Sequence, residues 1–242
     1  ITKAEKSKIK SKSNNISESS QAIATMDTTG DTSTYLSTPE GYAEKYRKSL
    51  ENTEDYWDQA AKSKIDWFQP YTKTSHGTFG EGDIAWFLNG KMNVCYNCLD
   101  RHLDTRGDQI AILYEGDEPT DIRQYTYKQA FKEVCRIANV LKAAGVGKGD
   151  RVCIYLPMVP EIAFTMLACA RIGAPHSVVF AGFSATALAE RIIDGSCKVV
   201  VTGDDFKRGG KSIALKKTVD EALGHKGHHV ETVFVSRISG ST

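Results

Sequence analysis

The stretch RVCIYLPMVPEIAFTMLACARIGAPHSVVF, residues 151–180, decides the fold class. Its first six residues predict a buried strand, its middle predicts a helix from Pro160 to Gly173, and its end predicts a second strand. Two apolar strands joined by a helix form the right-handed unit from which parallel sheets are built. The stretch therefore predicts an α/β fold.

The same alternation continues on both sides of this stretch. Upstream, DQIAILYEG and IRQYT predict a hairpin joined by DEPTD, and a capping box at Thr126 and Gln129 predicts a helix that stops at Gly145. Downstream come a helix in SATALAERIIDG, a strand in CKVVVT, a helix in IALKKTVDEAL and a strand in VETVFVS. We expect a doubly wound, mainly parallel sheet with helices on both faces, because uninterrupted apolar strands need cover on both sides.

Composition divides the chain into three parts. Residues 1–36 are rich in Ser, Thr, Asn and Lys and poor in apolar side chains, so they predict a disordered tail. Residues 37–107 predict an N-terminal helical and irregular extension, with a helix that starts around Pro39 and a short helix near Asn93. Residues 108–242 predict the α/β subdomain. The chain opens on Ile rather than Met, so we expect a partial sequence.

Charge and cysteine usage exclude several classes of function. A net charge of +1 over 242 residues and the lack of a long apolar run predict neither a nucleic-acid partner nor a membrane span. Most of the cysteines lie singly in apolar patterns, and Cys95 and Cys98 form one CxxC without a second pair. This predicts buried thiols in a cytoplasmic protein rather than a metal site. A mitochondrial location stays open because transit peptides share the basic, Ser-rich start.

A candidate binding site follows the strand CKVVVT, where Arg208 and Lys211 flank Gly209 and Gly210. Ligands in doubly wound folds bind at the carboxyl ends of the strands. Two glycines let backbone N–H groups approach an oxyanion, which Arg208 can bind with two hydrogen bonds. The local residues alone are consistent with a phosphate site and with a solvated basic loop, and they leave both interpretations open. The absence of a GxGxxG or GxxxxGK[ST] motif disfavours a dinucleotide dehydrogenase or a P-loop NTPase.

Several segments together resemble the N-terminal part of the AMP-forming acetyl-CoA synthetases, in the adenylate-forming (acyl-CoA synthetase) superfamily. In chain order they are NVCYNCLDRHL, YEGDEP with IRQYTY, GVGKGDRVCIYLPMVPE, MLACARIGAPHSVVFAGFSATALAERI and TGDDFKRGGKSIALKKTVDEAL. The resemblance covers nearly all of residues 37–242. Propionyl-CoA and other short-chain acyl-CoA synthetases are the alternative within the superfamily. A non-catalytic α/β nucleotide-binding module is the alternative outside it.

The resemblance implies an enzyme, a ligase that works in two steps. Acetate attacks the α-phosphate of ATP to give acetyl adenylate and diphosphate, with Mg²⁺ as cofactor. CoA then displaces AMP after the small C-terminal domain rotates. The family's ATP loop, acetate pocket, Mg-binding segment and catalytic lysine lie beyond Thr242. We therefore expect part of the large N-terminal domain, with no catalytic or metal-binding residue and no activity by itself.

The resemblance also implies a CoA site on this chain. The segment that matches residues 208–211 contacts the end of CoA that carries the adenine and the 3′-phosphate, so the predicted anion is a phosphate of CoA. Relatives commonly carry Gly where this chain has Ala181, and a methyl group need not exclude the ligand. The residues implied at the site are Arg208, Gly209, Gly210, Lys211, Phe180, Ala181, Gly182 and Ile213.

Overall fold

The structure is a computed structural model that describes residues 39–118 and 120–239. Among the described residues, the chain divides into two units between Gln59 and Ala60. Helix α1 (Pro39–Glu51) begins at the proline predicted to start it, and α2 (Thr53–Lys64) follows it. The predicted disordered tail over residues 1–36 lies outside the described residues.

The second unit begins with small elements. Strands β1 (Lys73–Thr78) and β2 (Asp83–Leu88) form an antiparallel pair. Helix α3 (Val94–Cys98) is capped by Asn93, whose side chain accepts the N–H of Tyr96 at 3.1 Å. The short helix predicted near Asn93 is thus confirmed, and α4 (Leu103–Arg106) follows it.

The predicted hairpin and the helix after it are confirmed. Strands β3 (Ile110–Glu115) and β4 (Ile122–Thr126) pair in antiparallel register and lead into α5 (Tyr127–Ala143). Both halves of the capping box form, because Thr126 Oγ1 accepts the Gln129 N–H at 3.2 Å and Gln129 Oε1 accepts the Thr126 N–H at 2.8 Å. These bonds satisfy N–H groups that the first turn of a helix leaves without partners.

A four-stranded parallel sheet forms the centre of this unit. Its strands are β5 (Val152–Tyr155), β6 (His176–Val178), β7 (Val199–Gly203) and, after a hairpin of β8 (Asp205–Arg208) and β9 (Lys211–Ala214), β10 (Thr232–Ser236). Their spatial order is β6–β5–β7–β10. Since β6 lies on one side of β5 and β7 on the other, the chain changes its direction of winding at β5, as a doubly wound fold does.

Helices cover both faces of the sheet. They are α5, α6 (Pro160–Ile172), α7 (Ala185–Asp194) and α8 (Leu215–Leu223). Alternate residues of the strands point to opposite faces. Val152 and Ile154 pack in the core that contains α5 and α6, whereas Cys153 and Tyr155 pack in the core that contains α7 and α8. The predicted fold class is confirmed.

One predicted helix starts later than expected. The sequence predicts a helix from Ile213, but Ile213 lies in β9 opposite Phe206, and α8 begins at Leu215. The cause is the pair Gly209 and Gly210, whose φ angles are 58° and 74°. Two consecutive positive φ angles are what a two-residue hairpin turn requires, so the chain reverses here before it becomes helical.

Candidate functional site

A cleft of about 800 Å³ opens where the strands of the parallel sheet end. The segments that follow β5, β6 and β10 line it, together with β8 and the turn between β3 and β4. This is the edge at which doubly wound folds bind ligands, next to the strand at which the winding reverses. The volume lies within the range of small-molecule sites.

An aromatic ring and a cation meet in this cleft. Phe180 follows β6 and is 53% exposed, whereas the neighbouring Ala181 is buried. The guanidinium carbon of Arg208 lies 5.5 Å from the centre of the Phe180 ring, which is the geometry of a cation–π contact. The pair presents a flat apolar surface beside a positive charge, an arrangement that suits a planar group linked to an anion.

The glycine turn holds an anion that belongs to the chain itself. The N–H of Gly209 lies 3.3 Å from Oδ1 of Asp117, and the N–H of Gly210 lies 3.4 Å from Oδ2 of the same carboxylate. Both N–H groups therefore reach one oxyanion, although the oxyanion is a carboxylate from the β3–β4 turn. Contact between this turn and CoA stays a prediction.

The remaining candidates lie outside the lining of the cleft. Lys211 is exposed and pairs with Arg208 across the hairpin. Gly182 leaves room for the neighbouring ring, since a Cβ there would lie 2.5 Å from the Phe180 side chain. Ile213 packs against the core that contains α7 and α8. The structure thus brings five of the candidates together in the cleft or directly beside it: Phe180, Ala181, Arg208, Gly209 and Gly210.

Tyr155, which was not predicted from the sequence as a residue of the site, anchors the segment after β6. Its buried hydroxyl donates to the carbonyl oxygen of Phe183 at 2.9 Å and lies 3.2 Å from that of Ala181. Burial raises the pKa of Tyr155, so the hydroxyl keeps its proton and remains a donor. The available signal was a hydroxyl in the otherwise apolar strand VCIYL.

Asp204, the residue directly after β7, was also not predicted from the sequence as a residue of the site. Its carboxylate accepts the N–H groups of Ile238 at 2.8 Å and Ser239 at 3.1 Å. Burial acts to raise the pKa of Asp204, but the hydrogen bonds from Ser239 and Ile238 favour the charged form and lower it overall. Asp204 therefore holds the segment after β10 against the cleft. Its position at the carboxyl end of a buried strand was the available signal.

The described cysteines and carboxylates give no metal centre. Among residues 39–118 and 120–239, no three His, Cys, Asp or Glu side chains converge closely enough to hold a metal ion. All the cysteines are free, and burial raises the pKa of Cys95 to about 11. In the same part of the chain, no helix is long and apolar enough to cross a membrane.

Comparison with known proteins defines the family. The family profile described as "AMP-binding enzyme" matches residues 99–240, and the profile described as "Acetyl-coenzyme A synthetase N-terminus" matches residues 42–98. The chain belongs to the AMP-binding enzyme family. The resemblance drawn from its motifs is confirmed.

Individual relatives agree with this assignment. The chain is 51% identical over 199 residues to acetyl-coenzyme A synthetase 2 of Pseudomonas aeruginosa, a match that covers 82% of this chain and 31% of that protein. It is 50% identical over 194 residues to acetyl-coenzyme A synthetase of Dictyostelium discoideum, covering 80% and 29%. The solved acetoacetyl-CoA synthetase from Streptomyces lividans matches with a TM-score of 0.74 at 25% identity, covering 84% of this chain and 31% of that one. The chain spans less than a third of the length of these relatives.

Proposed function

We propose that this chain is part of an AMP-forming acetate–CoA ligase, which converts acetate, ATP and CoA into acetyl-CoA, AMP and diphosphate through an acetyl adenylate. The observation that carries the proposal is the identity of 50–51% to two acetyl-coenzyme A synthetases over about four-fifths of the chain. The identity to the solved acetoacetyl-CoA synthetase is half of that.

The contribution of this chain is part of the CoA site. Arg208 makes no ion pair within residues 39–118 and 120–239, so its charge is available to a phosphate. The exposed ring of Phe180 offers a stacking surface beside it, and the N–H groups of Gly209 and Gly210 can receive an oxyanion. We extend the proposed site to Lys211, Ala181, Gly182 and Ile213.

We include ATP as a substrate and Mg²⁺ as a cofactor because the resemblance to the family implies them. Adenylation requires a triphosphate whose charge is neutralised by cations and by oriented hydrogen-bond donors. We assign no residue of this chain to Mg²⁺ or to catalysis, and acetate is bound by other parts of the enzyme. A cytoplasmic location, with the mitochondrion as the alternative, is proposed from cysteine usage and from the N-terminal composition.

The test measures acid-dependent formation of AMP by the full-length protein that the gene encodes. Acetate, propionate and acetoacetate are compared in the presence of ATP, Mg²⁺ and CoA. We expect the highest kcat/KM with acetate. A higher value with propionate or acetoacetate would assign the protein to another short-chain acyl-CoA synthetase. Nucleotide binding without AMP formation from any of the acids would support the non-catalytic module instead.

A further inference from the structure

The contact between Asp117 and the glycine turn joins two hairpins that are far apart in sequence. Asp117 lies between β3 and β4, and 92 positions separate it from Gly209. Each carboxylate oxygen faces one N–H, at 3.3 Å for Gly209 and 3.4 Å for Gly210. These distances are at the long end of the hydrogen-bond range, so the contact is present but weak.

The turn is shaped to receive an anion. Gly209 and Gly210 both have positive φ, and a Cβ at either position would meet no atom within 4 Å. The glycines are therefore required by the backbone conformation and not by a lack of space. Successive N–H groups that point to the same side form a concave site for anions. In this structure, the carboxylate of Asp117 occupies that site.

A phosphate dianion can replace this carboxylate because it makes more contacts. Asp117 binds the N–H groups but forms no ion pair with Arg208, whose guanidinium lies over Phe180. A phosphate has enough oxygens to bind both N–H groups and a guanidinium together, and charge-assisted bonds of this kind are the stronger ones. The two anions cannot share the site, because the N–H groups are used once and like charges repel.

We propose that Asp117 is an internal competitor that the 3′-phosphate of CoA displaces from the Gly209–Gly210 turn. The proposal rests on the proposed function, since it takes CoA as the ligand. With Asp117 in place, small anions that cannot also use Arg208 are kept out of the turn, and the affinity for CoA is lowered. Dephospho-CoA, which lacks the 3′-phosphate, binds without disturbing the carboxylate.

The test compares Asp117→Ala and Asp117→Asn in the full-length protein, using calorimetry with CoA and with dephospho-CoA at low ionic strength. We expect Asp117→Ala to lower the Kd for CoA by about three- to tenfold, the scale of one modest hydrogen-bond contribution. Asp117→Asn should act in the same direction but less, because its amide oxygen can still accept one N–H. The Kd for dephospho-CoA should stay within about twofold of the parent value. High salt should reduce the differences.

Glu118→Gln is the matched control. Glu118 is the next residue of the same turn, is exposed, and forms no hydrogen bond to either glycine in the described part of the chain. The variant removes the same unit of charge and leaves the contact intact. Equal tightening of CoA binding by Glu118→Gln and Asp117→Ala would overturn the proposal. It would show that the negative charge of the whole β3–β4 turn, and not the contact of Asp117 with the glycines, weakens CoA binding.

Two other results would also overturn it. Weaker CoA binding by Asp117→Ala would mean that the carboxylate positions the turn for the ligand, and unchanged binding would mean that it does not compete. Spectra of ¹⁵N-glycine-labelled protein give a second measurement, because the amide signals of Gly209 and Gly210 should shift in Asp117→Ala and in the parent when CoA is added. Failure of the proposed CoA site has a separate signature, since the parent itself would then bind no CoA. A different acid specificity would appear only in the assay of AMP formation and would leave this test unaffected.

Discussion

The parallel sheet and the hairpin at its carboxyl edge are held in place in different ways. Every residue of β5 and β7 is buried, and each of these strands pairs with a neighbour on both sides. Among the described strands β8 and β9 pair only with each other, and the turn between them is exposed. That turn is linked to the β3–β4 turn by the two long hydrogen bonds that Asp117 accepts from its glycines.

Because of this difference, the sheet provides stability, whereas the hairpin is suited to binding. Burial of apolar side chains in the sheet supplies most of the folding free energy, whereas exposed hairpins open at little cost. Two side chains connect the sheet to the segments that line the cleft. Tyr155 in β5 binds the segment after β6, and Asp204 directly after β7 binds the segment after β10. The glycine turn has the weaker contact to Asp117, and this leaves it free to exchange partners.

The largest expected effect is in the core. Leu188 is fully buried in α7, and Leu188→Ala should lower the free energy of unfolding by about 2–5 kcal/mol, because it removes apolar contacts and leaves a cavity. Leu113 lies in β3 with 48% of its surface exposed, so Leu113→Ala should cost less than about 1 kcal/mol. Urea unfolding of both variants measures the difference. Equal losses would contradict the assignment of the core.

The next effect is on CoA binding by the full-length protein. Arg208→Ala should raise the KM for CoA by about ten- to a hundredfold, since it removes a charge-assisted contact worth roughly 1.5–3 kcal/mol. Acetate-dependent exchange between diphosphate and ATP should be unchanged, because CoA takes no part in that step.

Lys211→Ala is the matched comparison for Arg208→Ala and should have a smaller effect, because a flexible ammonium near solvent is screened by salt. Arg208→Ala should also discriminate less than the parent between CoA and dephospho-CoA. Loss of diphosphate exchange in a correctly folded Arg208→Ala variant would instead place the residue at the ATP site.

The sheet could be predicted from the sequence because its signals are local. Val199, Val200 and Val201 form an apolar run, and Thr126 and Gln129 lie three positions apart, so each signal is contained in one short segment. The strands, the capped helix and the winding of the sheet followed from such segments.

The segments around the cleft could be predicted only in part, because their contacts join residues that are distant in sequence. The pair Gly209 and Gly210 indicated an approach of backbone to an anion, but its positive φ angles also make a hairpin, which was not predicted. Asp117 reaches this turn across 92 positions, and Tyr155 reaches Phe183 across 28. No local pattern encodes such pairs.

A smaller effect is expected at Tyr155. Tyr155→Phe removes the hydroxyl that serves the carbonyl groups of Phe183 and Ala181, and should lower the free energy of unfolding by about 1–2 kcal/mol. Tyr46→Phe is the control, because Tyr46 is 55% exposed on α1 and should change stability little. Chemical denaturation monitored by circular dichroism gives both values. A Tyr155→Phe variant as stable as the parent would show that water replaces the hydroxyl without cost.

The smallest effect is expected at Asp204 and depends on pH. The pKa of Asp204 is lower in the folded protein than its ordinary value of 3.8, so the charged carboxylate stabilises the fold above that pH. The stabilisation is lost as the pH falls through the folded pKa.

Asp204→Asn should therefore cost about 1 kcal/mol near neutral pH, where the charged oxygens accept N–H groups better than an amide does. The cost should shrink towards zero as the pH falls below the folded pKa, where both proteins carry a neutral group. Asp194→Asn, at an exposed residue of α7, should differ little from the parent at either pH. A cost for Asp204→Asn that stayed constant across the range would show that the shape of the side chain, and not its charge, holds the segment after β10.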